Sequence, residues 1–334
     1  MRKSQITILG LAAGLFLQPM AWSQTPDVWT RIGGPAGDGL WSTVEEWQDN
    51  SANGFAPSTT LPGSDSRVSI RSDRFVDLDV DATVYQLWLT HSDLVGSGSL
   101  TLNTDGTTLE VLDSIKVGLD TNPALGMLNL TTGTLRQSGS LAINSNSTLN
   151  IDGGRLLVDT SEQVKAMTGI GTVEMSSGHF QVKTGARYDM DAALFSISGG
   201  TMEVDATFTV GRDNASEFRV VGGAASIHIK GLLALNEPNP HGIFRFVLNE
   251  TGVSAIEVER LLLSHANLII DGTDYTGGSA YITLFRVSDS FPRGGMLSDD
   301  NISIIGFDSA WDVSIIQNYG AAGEGGDVVL SIVP

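Results

Sequence analysis

The chain has no cysteine. That excludes disulfide staples and thiolate chemistry, so the fold must be held by burial and backbone pairing alone. Positive charge is scarce: 19 Lys and Arg stand against 38 Asp and Glu, a net charge of −19. So acidic a surface argues against binding nucleic acid through its phosphates, and against gripping an acidic polysaccharide without metal ions. It suits solubility outside a cell, or cation binding. Histidine is sparse too. His91, His179, His228, His241 and His265 are scattered and show no metal-ligand spacing such as His-Glu-x-x-His. His179 and His228 alternate with apolar residues, so both are expected to point outward without a role. A phosphate-cradling glycine loop and a Gly-x-Ser-x-Gly elbow are both missing.

Residues 1–23 read as a secretory signal peptide. Arg2 and Lys3 lead the apolar run Ile6 to Leu17, and Ala21-Trp22-Ser23 places the cut before Gln24. The run is short for a membrane span, so none is expected in the mature chain. Cleavage removes two basic residues and no acid, taking −19 to −21.

What is abundant is a repeat. Between Leu128 and Ile229 the chain writes apolar-x-apolar, two residues, Gly, then x-apolar, five times. The copies start at Leu128, Leu149, Val173, Phe195 and Phe218, with glycines at 133, 154, 178, 200 and 223. Successive glycines are 21, 24, 22 and 23 residues apart. A period of two puts the apolar side chains on one face of a strand. Each Gly is expected at a bend where positive φ costs it little. Self-similarity at this period, in a region rich in Thr, Ser, Val and Ile, predicts an all-β fold: a right-handed parallel β-helix of roughly eight coils, on the order of 40 Å long. A longer echo sets Val117-Gly118 and Gly139-Ser140-Leu141 against Val210-Gly211 and Gly231-Leu232-Leu233, 93 and 92 residues later. The competing fold is an antiparallel sandwich with glycine-rich turns.

The expected organisation is a Trp-rich N-terminal cap over 24–66, the solenoid over 67–260 and a C-terminal β cap over 261–334, closed by a strand at Asp327 to Val333. Glu162 to Met167 interrupts the β pattern and is expected as a short helical insertion. Trp29, Trp41 and Trp47 are candidates for stacking on sugar rings, although covering the first coil is the plainer role. Asp77, Asp79 and Asp81 would line one face of a strand about 7 Å apart and are candidate calcium ligands. No other cofactor is expected, and a solvated strand face is the simpler reading of that row.

Three pieces together resemble the Gly-rich repeat proteins exported by Gram-negative bacteria, the group of autotransporter-associated β-strand passengers and precursors with a PEP-type sorting signal. These are Trp41 and Trp47 followed by Pro62, Asp65 and Val68-Ser69-Ile70; Val117-Gly118 with Leu128-Asn129-Leu130-Thr131-Thr132-Gly133-Thr134-Leu135; and Leu268-Ile269-Ile270-Asp271-Gly272-Thr273-Asp274-Tyr275. The resemblance implies a right-handed β-helix displayed outside the cell, in adhesion or in the extracellular matrix. The chain departs from the pattern at Val333-Pro334, where a hydrophobic helix and basic tail are expected.

Solenoids also carry polysaccharide lyases and glycoside hydrolases. Asp189 with Asp191, and Asp299 with Asp300, are eligible carboxylate pairs. The motif set of a polygalacturonase-like site does not assemble: Asn103-Thr104-Asp105 is present, but Gly178-His179-Phe180 lacks the second Gly. The expectation is therefore a secreted, non-enzymatic β-solenoid of the cell surface or matrix, with a polysaccharide or cell-surface component as its partner. A carbohydrate-active enzyme or sugar-binding module is the alternative. Aligned outward carboxylates and aromatics would favour the alternative; a flank of Thr, Ser and Asn would favour the first reading.

Overall fold

The computed structural model describes residues 27–31, 38–49, 56–70, 74–90, 98–118, 125–159, 165–183, 187–213, 215–234, 242–264, 266–290, 297–317 and 326–333. The expected signal peptide lies outside them. The chain winds as a parallel β-solenoid of about seven regular turns. Strands stack in three columns around one core. The first column is an 11-stranded sheet, in which Gly98–Leu102, Gly126–Leu130, Thr148–Ile151, Thr172–Met175 and Leu194–Ile197 pair in parallel. The second and third columns share one larger sheet. Thr134–Gln137 stacks on Arg155–Asp159 in the second, and Ser140–Ile143 on Lys165–Thr168 in the third. Thr108–Val117 and Ala225–Ala234 run through both columns as single strands.

The register explains the repeat. Leu100, Leu128, Leu149, Val173, Phe195, Phe218, Phe244 and Leu268 stand directly above one another and are all buried. Each such burial contributes roughly 1.5–3 kcal/mol, but only because the next coil supplies the other half of its surroundings. The core changes character along the axis. Its early coils are Leu, Val and Ile. From Phe180 onward the rings of Tyr188, Phe195, Phe208, Phe218, Phe244 and Phe285 touch in sequence, with centroids between 5.4 and 6.3 Å apart. Gln137 is the polar exception in the second-column core, where its Nε2 donates to the Gly139 carbonyl at 2.7 Å.

The parallel pairing decides against the antiparallel sandwich. It also extends further than the repeat predicts. Asn267–Asp271 and Ile302–Ile305 continue the first column past residue 260, and Asp38–Leu40 continues it the other way. The eleven rungs among the described residues make a stack of roughly 48 Å. The C-terminal cap is antiparallel: Asp327–Val333 pairs between Ala280–Ser290 and Asp312–Gln317. The expected closing strand is therefore present. The expected helical insertion at Glu162 to Met167 is corrected where it is described: residues 165–167 belong to the strand Lys165–Thr168, because third-column neighbours on both sides offer it ladder partners, and 162–164 lie outside the described residues. Among the described residues no helix is long and apolar enough to cross a membrane.

The repeat glycines divide by cause. Gly178 and Gly200 sit at φ +83° and +80°, as a left-handed bend requires. In two other copies the positive φ falls one residue earlier, at Gly153 and Gly222. Gly133 has no such φ; a Cβ there would stand 2.9 Å from the Leu102 Cβ, so close stacking selects it instead.

Candidate functional site

Trp41 and Trp47 are fully buried. Their rings meet edge to face at 4.9 Å, and Trp47 Nε1 donates to the Trp41 carbonyl at 2.8 Å. They offer no face to a sugar, which corrects the stacking expectation for both. Trp29 lies in the strand Asp27–Arg31, whose backbone pairs with Ser66–Ile70; its side chain is outside the described residues. The aspartate row also dissolves. The strand ends at Asp77, opposite Thr101, and the chain turns. Asp79 then accepts from the backbone N–H of Ser42 at 2.9 Å and from its hydroxyl, while Asp81 accepts from Thr108 N at 2.7 Å. One carboxylate reaches down the stack and another reaches up it, so they do not converge. Among the described residues no group of three or more His, Asp or Glu side chains is arranged to hold a metal ion.

The carboxylate pair Asp189 and Asp191 is structural in its contacts. Asp189 is buried with Arg187 Nε at 2.8 Å and Arg212 Nη1 at 3.1 Å. Burial, and then the charge of Asp191, push its carboxyl up to about 6, against the pull of the Thr209 hydrogen bond. Asp191 accepts from Arg212 N and Asp213 N at 2.7 and 3.0 Å, capping the turn of the next coil. Asp299 and Asp300 are exposed in a short 3₁₀ turn.

Two outward flanks carry organised polar side chains. On the first column, Thr101, Asn129, Asn150, Glu174 and Ser196 occupy one register row over five coils. Asn150 Nδ2 donates to Asn129 Oδ1 at 2.8 Å, and Asn129 Nδ2 donates to Thr101 Oγ1 at 3.3 Å. Thr101, Asn129, Asn150 and Glu174, with Thr131, Asp152 and Ser176, line an open groove of about 380 Å³. Asp152 Oδ1 accepts from the hydroxyls of Ser176 and Ser177 at 2.8 and 2.9 Å, which holds its carboxyl below the usual range. Met127, exposed two residues before Asn129, adds an apolar shoulder on the same face.

On the second column the row is charged. Gln181, Glu203, His228, Glu257 and Arg286 stack in register. His228 Nδ1 lies 2.9 Å from Glu257 Oε2, and its Nε2 lies 2.8 Å from the Ser226 hydroxyl. Arg286 Nη1 holds the other Glu257 oxygen at 2.8 Å. Beside them, Lys230 Nζ meets Asp205 at 2.8 Å, and that hydrogen bond raises the ammonium's pKa. His179 pairs with Glu203 at 3.6 Å, yet burial lowers its pKa. An open groove of about 490 Å³ is lined by His228, Lys230, Glu257, Glu259, Arg286 and Ser288. Sequence reading left His228 without a role and did not reach Glu257, because 29 residues separate them. Aligning the chain coil upon coil would place them side by side.

Fold and flanks together define a parallel β-solenoid scaffold with polar side chains in register on its outer faces. No protein-family model, curated protein or solved structure matches the chain.

Proposed function

We propose that the chain is an exported bacterial surface or matrix β-solenoid, structural and adhesive in role, that holds a neutral polysaccharide along its first-column flank. The observation that carries this reading is the Thr101, Asn129, Asn150 row. Amides and hydroxyls repeated at about 4.8 Å can donate to and accept from successive sugar hydroxyls. The neighbouring carboxylates Asp152 and Glu174, and the net charge of −19, repel polyanions. The uncharged Thr and Asn of the row are the composition expected of a matrix solenoid. Export rests on the N-terminal leader: protein recovered outside the cell should begin at Gln24 by N-terminal sequencing.

The test is a glycan array probed with the purified chain, with and without calcium, and read for both binding and cleavage. Binding of neutral glycans without cleavage is expected, and Asn129→Ala with Asn150→Ala should weaken it at least about tenfold. Equal binding by the double variant would sink the assignment of the flank. A carbohydrate-active enzyme is the second reading, favoured by Asp152 and Glu174 lining the same groove. Cleaved products in that assay would establish it in place of the first.

A further inference from the structure

We infer that Ser226, His228 and Glu257 form a serine-hydrolase triad on the second-column flank, acting on small carboxylic esters with a readily departing alcohol. The inference is independent of the polysaccharide reading and uses a different face. The connectivity is what nucleophilic catalysis needs. The hydroxyl lies 2.8 Å from Nε2, and the carboxylate lies 2.9 Å from Nδ1 of the same ring. A proton on Nδ1, shared with Glu257, leaves Nε2 free to accept from Ser226. Ser226 is exposed, so an ester can reach it. Glu257 is a positioning residue, itself fixed by Arg286 at 2.8 Å.

The architecture supplies this alignment. Ser226 and His228 are two apart on one strand, so both point outward. The parallel register sets Glu257 directly opposite His228 on the next coil. The groove beside them gives an acyl group a place to lie.

In the first step Ser226 Oγ forms a bond to the ester carbonyl carbon while its proton passes to His228 Nε2. The tetrahedral adduct collapses, its bond to the alcohol oxygen breaks, and Nε2 returns the proton to that oxygen. Water, giving a proton to the same Nε2, then attacks the acyl-serine; the carboxylic acid leaves and Ser226 regains its hydrogen. The groove's cations Arg286 and Lys230 are each paired with a carboxylate, so developing negative charge falls mainly to water. That limits the substrate to activated esters rather than amides.

The experiment treats the full chain with a fluorophosphonate, whose phosphorus takes the serine oxygen as fluoride departs, and maps the adduct by peptide mass spectrometry. Hydrolysis of p-nitrophenyl acetate is followed in parallel. Labelling of Ser226 is expected, with none in Ser226→Ala and a rate at least roughly 10²-fold lower in His228→Asn. Glu257→Gln should lower kcat with KM unchanged, and Glu257→Asp should recover part of it. These are surface changes, and unchanged melting curves would confirm folding. An unlabelled Ser226, labelling unaffected by His228→Asn, or ester hydrolysis that survives Ser226→Ala would overturn the proposal.

Discussion

Phe218→Ala is expected to cost about 3–5 kcal/mol. Phe218 is fully buried at the centre of the aromatic column. Its ring lies 5.4 Å from Phe195, 5.8 Å from Phe208 and 5.9 Å from Phe244. Two of those partners belong to the coil before it and one to the coil after it. Truncation therefore opens a void between coils whose spacing is pinned by backbone hydrogen bonds, and the ladder cannot collapse to fill it. A solenoid passes this loss to its neighbours, since each coil's stability depends on the interfaces above and below. Thermal unfolding followed by circular dichroism should show a drop of roughly 10 °C. The exposed Leu125→Ala should leave the curve within about 0.5 kcal/mol of the parent. A Phe218→Ala loss below about 1 kcal/mol would mean the rings are not packed in this order.

Gly139→Ala is expected to cost at least about 3 kcal/mol, while Gly223→Ala costs less than about 1. A Cβ on Gly139 would stand 1.1 Å from the Asp113 carbonyl oxygen, a backbone atom of the preceding coil. Nothing flexible can move aside, so the coil itself must shift and break ladder bonds. At Gly223 the nearest atom is Thr251 Oγ1 at 3.5 Å, an ordinary contact, and the backbone has no positive φ. The pair separates two reasons for glycine that look alike in the chain. Gly223 belongs to the five-copy pattern, whereas Gly139 was marked only by the longer echo with Gly231. That echo has a physical basis: Gly231 also presses on a carbonyl of the preceding coil, with Ala206 O at 2.5 Å from a Cβ. Equal melting temperatures for the two variants would remove coil spacing as the cause.

Both flanks illustrate where local pattern stops. Alternation placed His179 and His228 facing away from the core, and both do; Asn129 and Asn150, between inward apolar neighbours, obey the same rule. It could not show that Asn150 rests on Asn129, or that Glu257 meets His228, because those contacts depend on the lengths of the intervening turns. The same limit produced the errors. Trp41 and Trp47 qualify as sugar-stacking candidates when only their Pro- and Gly-rich surroundings are read; in the fold they are buried in the core, in keeping with the plainer covering role. Asp77, Asp79 and Asp81 alternate like one strand face, but the bend after Asp77 sends the latter two to different coils.

The repeat in the chain points to a solenoid and to its inward rows. These follow from a period of two nested in a period near 22, and burial allows one register for such a pattern. The parallel stacking, the outward side chains that meet, the aromatics that are sealed and the glycines that cannot change emerge only in the folded chain. Those outcomes are set by distances of a few ångströms between coils more than twenty residues apart, and no local preference of the chain encodes them.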